Sequence, residues 1–218
     1  MRRDIITAIL AMVVFTILLG ILYPLVITGV SQVAFPGNAN GQKIYVNGKL
    51  VGSKIIGQSF RVPVMEHGKP KEEEEEIVTE ADKRYFQSRP SATEETEYNG
   101  AFSGFSNRGP NNKATAEADE EYVKGYLELE KPYDPALTAG KIPVDAVSTS
   151  GSNLDPQISE ANARIQAHRI AAVRNLPLAQ VNQLISKYTS SRGLGVFGEP
   201  GVNVLELNLA LNRLGGAS

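Results

Sequence analysis

Among the residues of this 218-residue chain that could act as nucleophiles, bases or metal ligands, few stand at a spacing that chemistry requires. Cysteine is absent, which removes thiolate nucleophiles, thiolate zinc sites and disulfides. The two histidines, His67 and His168, lie about a hundred residues apart with no partner at metal-site spacing. His168, within Gln166-Ala167-His168-Arg169, falls on an amphipathic helical stretch with no acid or nucleophile motif beside it, and reads as a structural histidine. Two adjacent pairs, Ser53-Lys54 and Ser186-Lys187, are where a serine/lysine peptidase would begin. A lysine base must be desolvated, however, and both pairs sit in polar sequence. Gly48-Lys49 and Gly68-Lys69 are followed by Leu50 and Pro70, not by the Ser or Thr of a phosphate-binding loop. Neither a Gly-x-Ser-x-Gly elbow nor Asp-Lys-Thr-Gly occurs, which excludes hydrolysis through an α/β-hydrolase serine or through that aspartyl-phosphate sequence.

The elements around these residues divide sharply by charge. Lys and Arg number 22 against 24 Asp and Glu, a net of −2 that excludes a protein held to nucleic acid by bulk positive field. Between Asp4 and Lys43 no charged residue occurs. Ile5 to Val30 is almost wholly apolar, and as a helix it would reach roughly 39 Å, enough to cross about 30 Å of hydrocarbon with tilt. A cleaved signal peptide has a shorter apolar run and a small-x-small cleavage site, so a retained anchor is the better reading. Arg2 and Arg3 place the N-terminus in the cytoplasm and the rest of the chain outside. With no acidic, basic or amide side chain from Ile5 to Val30, the anchor offers no ion pathway of its own. The expected organisation is a cytoplasmic stub (1–4), a transmembrane helix (5–30), a joint (31–42) and an extracytoplasmic α+β (mixed α/β) domain (43–218).

Within that domain Asn47-Gly48, suited to a tight type I′ turn, predicts a hairpin of Lys43–Val46 with Lys49–Gly52. Ile55 to Phe60 reads as a further short strand or strand end. Glu66 to Lys83 carries eight acids against three lysines, too self-repelling to be buried, and is expected to be a solvated insertion or an exposed helix. A helix is expected around Tyr122 to Glu130, after a second acidic patch at Glu117, Asp119, Glu120 and Glu121. Asp155-Pro156 looks like a cap and first residue of a helix bearing Ile158, Ala161, Ile165 and Ala172. Pro177 opens a second helix through Tyr188, and Val202 to Leu214 favours a third.

Taken in order, Tyr23-Pro24, Thr28-Gly29, Phe35-Pro36, Val51-Gly52-Ser53, Ile56-Gly57-Gln58, Arg89-Pro90-Ser91-Ala92, Ser150-Gly151-Ser152-Asn153-Leu154-Asp155-Pro156, Gly198-Glu199-Pro200 and Val202 to Leu211 form a recognisable series. The chain closely resembles the C subunit of the Kdp-type high-affinity potassium-transporting ATPase, over nearly its whole length except about residues 65–83. The resemblance implies a non-catalytic accessory subunit, working beside a potassium-channel-like A subunit, a P-type ATPase B subunit and a small F subunit, in contact with membrane lipid and not with nucleic acid. It implies a catalytic chaperone that raises the ATPase subunit's affinity for ATP, with no tightly bound cofactor. By the same resemblance Ser103, Gly104, Ser106 and Asn107 are the nucleotide-associated loop. Phe105 stands in that loop where the family has glycine, and its side chain would obstruct close backbone approach to phosphate. Gln157 stands where histidine is common. With the domain outside and ATP inside, an effect on ATP affinity is expected to be indirect. The competing reading is an anchored extracytoplasmic hydrolase such as the Ser/Lys peptidase.

Overall fold

The computed structural model describes residues 1–218 except 74, 75, 94, 95, 105, 106, 110, 194 and 216–218, and the chain divides into two compact units, Met1–Ser53 and Lys54–Ser218. The first is dominated by helix α1, Arg2–Ala34, long and apolar enough to cross a membrane and with none of its residues buried within the chain. Pro24 cannot donate a backbone hydrogen bond, and the preceding turns, Thr16–Leu22, are wound as a π-helix in which Tyr23 N–H reaches back to Leu18 O. The helix runs four residues beyond Val30 and stops at Phe35, where the following proline favours extended backbone (φ −138°). A single turn, α2 (Pro36–Ala39), then leads to the expected hairpin, β1 (Lys43–Val46) and β2 (Lys49–Ser53), paired antiparallel. Asn47 and Gly48 both have positive φ, 51° and 78°, as a type I′ turn demands. Ser53 Oγ donates to Gly41 O at 2.7 Å and ties the hairpin's end to the joint.

In the second unit the stretch Ile55 to Phe60 is not a strand. Its backbone turns and then runs irregularly, because Gly57 N–H is committed to Leu154 O at 2.8 Å and the ladder begins only at β3 (Arg61–Pro63). The acidic segment is not a helix either. It forms three small exposed ladders: β3 with β8 (Thr79–Ala81), β4 (Met65–Glu66) with β5 (Lys69–Pro70), and β6 (Glu72–Glu73) with β7 (Glu76–Ile77). They meet at a closed ring of backbone hydrogen bonds, Val64 N–H to Val78 O, Val78 N–H to Lys71 O and Lys71 N–H to Val64 O, each 2.8 to 2.9 Å. Glu66, Glu72, Glu73 and Glu80 are exposed on these hairpins, which leaves their carboxylates in water as a compact buried element could not. The segment's end is different, since Asp82 is buried and its N–H donates to Phe60 O.

Helix α3, Lys113–Glu130, is twice as long as its expected core and takes in the second acidic patch. Asn112 caps it by accepting Ala114 N–H at 2.9 Å, and Tyr126 and Glu130, one turn apart, are its buried face. Helix α4 (Glu160–Arg174) starts at Ser159, whose Oγ accepts Asn162 N–H, and not at Asp155. Asp155 is drawn off by Arg89 and by its own turn to Gln157 N–H, and the next residues pair as strand β9 (Gln157–Ile158). Helix α5 (Leu178–Tyr188) follows Pro177 as expected, β10 (Thr189–Ser190) and β11 (Gly201–Asn203) complete the sheet order β10-β11-β9, and α6 (Val204–Arg213) closes the chain. Ile158, Ile170, Val181, Ile185, Val202, Leu207 and Leu211 form the core, with Phe86 inserted from the loop before α3. Asn208 holds Phe86 there by bonding both its backbone N–H and its carbonyl at 2.9 Å.

Candidate functional site

The motifs separated in sequence come together around Arg89. Its guanidinium lies 3.2 Å from Asp155 Oδ2 and also donates to Thr149 O (3.1 Å) and Ser148 O (3.4 Å), so one side chain grips both ends of the loop 148–155. Ser91 Oγ donates to Asn153 O at 2.8 Å and receives Tyr98 N–H. The Tyr98 hydroxyl donates to Arg89 O, and burial pushes its phenol well above the ordinary range, so it stays a donor. Its ring lies so close to Gly57 that a Cβ there would be 2.2 Å from Tyr98 Cε1 and 2.8 Å from Asp155 O. Glycine at 57 is required by this approach, not by its φ. Tyr98 and Asn153 both adopt left-handed backbone, φ 61° and 58°, unusual for the former and held by these contacts.

The expected nucleotide-associated residues divide. Ser103 Oγ reaches Ser152 O at 3.5 Å, and Gly104 O accepts from Asn153 Nδ2, docking this part of the loop against the clamp. Asn107 is exposed with φ 54°, and Ser106 lies outside the described residues, as does Phe105. Ser103 and Gly104 line a cleft of about 490 Å³ with Thr93, Phe102, Arg108 and Asp119.

A second polar cluster joins α3 to α4. Arg169, fully buried, donates through Nε to Glu130 Oε1 at 2.9 Å and through Nη1 to Lys83 O and Tyr85 O. Gln166 exchanges hydrogen bonds with the backbone of Gln87, and Tyr126 donates to Asn162 Oδ1 at 2.9 Å. Burial pushes the Glu130 carboxyl up, against the opposing pull of Arg169. Sequence reasoning passed over this pair. Its signal was an arginine at 169 beside Ile170 on the apolar side of a helix.

Neither serine/lysine pair forms a dyad. Lys54 Nζ is 2.6 Å from Glu206 Oε1, Ser53 serves Gly41, Lys187 lies over the Tyr188 ring, and Arg164 reaches the Ser186 hydroxyl at 3.4 Å. His168 is on the exposed face of α4, and among the described residues no group of three or more His, Asp or Glu could hold a metal. Fold and site together define a protein with one membrane-length helix and a mixed domain whose charged groups brace loops and helices.

The family model "K+-transporting ATPase, c chain" matches residues 5–213. Similar proteins include the potassium-transporting ATPase KdpC subunits of Methylococcus capsulatus (42% identical over 207 residues, 95% of this chain and 96% of that one) and Herpetosiphon aurantiacus (43% over 207, 95% and 94%). That of Mycobacterium tuberculosis is 42% identical over 214 residues, 98% of this chain and all of its own. The chain belongs to the KdpC family.

Proposed function

We propose that this protein is the accessory C subunit of an ATP-driven potassium uptake pump. It assembles with a channel-like subunit and a P-type ATPase subunit, with a small F subunit as a further companion, and raises the ATPase subunit's affinity for ATP without hydrolysing it. The observation that carries the reading is the family match across residues 5–213. The helix α1, membrane-long and free of acidic, basic and amide side chains between Ile5 and Val30, supports an anchor that contributes no ion path.

Arg2 and Arg3 favour an outward-facing domain, and ATP is cytoplasmic. The effect on ATP affinity is therefore a coupling through α1 or the transport subunits to a two-state ATPase, and the outer domain sits over the potassium entrance and stabilises the assembly. The loop of Ser103 and Gly104 then has a docking role against Asn153 in place of a phosphate-binding one. The peptidase reading has no geometric support in either serine/lysine pair.

Two measurements test this. The tagged chain purified in mild detergent brings down a P-type ATPase; a lone stable protein with hydrolase activity overturns the proposal. Gly100→Cys, in a chain with no other cysteine, puts a thiol at an exposed position whose Cβ, among the described residues, meets only Ile56 Cδ1 at 3.5 Å. An impermeant maleimide labels it in intact cells with the outer membrane opened. Labelling only after the inner membrane is broken overturns the outward orientation.

A further inference from the structure

The hairpin β1–β2 belongs to the same compact unit as α1 and is tied to the end of that helix. Gln32, in the last turns of α1, exchanges side-chain hydrogen bonds with Asn40 at 3.0 and 3.4 Å. Gln42 Nε2 donates to Asn38 Oδ1 at 3.1 Å, and Ser53 Oγ closes the hairpin onto Gly41 O. These bonds restrain the hairpin close to the point where α1 stops. At about 1.5 Å per residue the 33 residues of α1 reach about 50 Å, against about 40–45 Å for a bilayer with its headgroups. The last turn of a spanning α1 therefore emerges among the headgroups, and the hairpin starts there.

One face of the hairpin has the composition of that layer. Tyr45 and Leu50 stand opposite each other in the ladder, so their side chains share a face, and they are 58% and 50% exposed. Lys43, two residues before Tyr45, falls on the same face and is exposed too, whereas Val46 and Lys49 pair on the other. A tyrosine sets its ring at the acyl boundary and its hydroxyl among headgroups, and a lysine lays its methylenes on apolar surface while its ammonium reaches outward. The charge agrees. From Ile5 to Met65 the chain has no Asp or Glu, so Lys43 and Lys49 make the hairpin positive in a chain of net −2, the sign that anionic headgroups attract. None of these features requires a shaped protein groove.

We propose that the face of Lys43, Tyr45 and Leu50 docks on the lipid surface beside α1, with Tyr45 and Leu50 entering the acyl boundary and Lys43 meeting lipid phosphate. Docking fixes the direction in which the chain leaves the membrane. The proposal rests on α1 as a membrane span and not on any action of the pump, so the pump reading can fail without it.

The chain has no tryptophan, so Tyr45→Trp and Lys49→Trp each place a single fluorophore, on opposite faces of the hairpin. Each full-length variant is reconstituted alone, and again with its co-purified partner subunits, in vesicles of phosphatidylcholine and phosphatidylglycerol whose acyl chains are brominated near the headgroup. Bromine is expected to quench Tyr45→Trp in both preparations and to leave Lys49→Trp open to aqueous acrylamide. Leu18→Trp, within α1, is quenched by bromine near the acyl ends and reports the span separately. In the Tyr45→Trp chain, Leu50→Gln is expected to lower the ratio of docked to free hairpin about fivefold. Lys43→Gln is expected to lower it about fivefold as well, a loss that vanishes at high salt. Equal quenching on the two faces, or no quenching of Tyr45→Trp where Leu18→Trp is quenched, overturns the proposal. So does a Tyr45→Trp shielded from both acrylamide and bromine in the complex, which assigns the face to a protein subunit.

Discussion

Arg89 and Arg169 each hold backbone carbonyls and a carboxylate, yet they do so in opposite settings. Arg169 and Glu130 have side chains 0% and 1% exposed, whereas Arg89 and Asp155 retain 21% and 32%. The buried pair joins two helices, α3 and α4, and each member is costly without the other. The partly exposed pair holds loops, and much of its contribution comes from packing around it: Tyr98 on Gly57, Ser91 on Asn153. A charge pair's depth, more than its length, decides whether it specifies the fold or shapes a surface.

The strongest way to break this contrast is to remove one member of the buried pair. Arg169→Met leaves Glu130 buried and alone, and urea denaturation is expected to show a loss of about 3–5 kcal/mol. The double variant Glu130→Leu/Arg169→Met is expected to recover most of it; no recovery would mean that the carbonyl contacts at Lys83 and Tyr85, not the ion pair, carry the stability.

Gly57→Ala comes next. Its Cβ overlaps Tyr98, and a loss of about 1–3 kcal/mol is expected, largely relieved in Gly57→Ala/Tyr98→Ala. Arg89→Lys keeps the charge but loses the fork that reaches Asp155 and two carbonyls together. About 1 kcal/mol and faster proteolysis within 148–155 are expected, less than at Arg169 if the contrast holds.

The pH dependence sharpens it further. Burial alone would raise the Asp82 carboxyl, but hydrogen bonds from the Arg84 backbone and guanidinium hold it below its usual value. Asp82 therefore contributes stability fully present above about pH 4 and lost as pH falls through its depressed folded value. Asp82→Asn is expected to flatten the acid limb of a stability–pH curve. Glu130, raised by burial, bends the curve the other way, with stability declining as pH rises through its folded value.

The smallest effect is expected in the acidic hairpins. Val64 already pairs with Val78 at the head of the β3–β8 ladder, so replacing residues 65–77 by Asn-Gly closes that ladder with a two-residue turn. Thermal unfolding and complex assembly are expected to stay within about 0.5 kcal/mol of the parent. A large fall in potassium affinity at low salt would instead assign the glutamates a cation-collecting role.

Much of the fold was legible because its signals are local. Asn47-Gly48 dictated a turn, Pro177 a helix start, and the uncharged run after Asp4 a membrane-length helix, each from backbone or solvation preferences of the residues themselves. Where those local cues failed, a distant partner had claimed the residue. Asp155 looks like a cap but serves Arg89, so Ser159 starts α4. Ile55 to Phe60 has strand composition, but Gly57 spends its N–H on Leu154. The early turns of α3 bury almost nothing, so apolar periodicity could not reveal them.

The candidate site follows the same division. Gly57, Arg89, Ser91, Asn153 and Asp155 of the clamp were visible as motifs but Tyr98 was not, and the sequence by itself determined the family, the apolar helix and the absence of cysteine chemistry. Only the tertiary structure decided that Gly57 must lack a Cβ because Tyr98 lies on it and that Arg169 is buried against Glu130. Propensity, hydropathy and turn chemistry are properties of neighbours along the chain. Close approach, desolvation and hydrogen-bond satisfaction depend on which distant residues meet, and these exist only once the chain has folded.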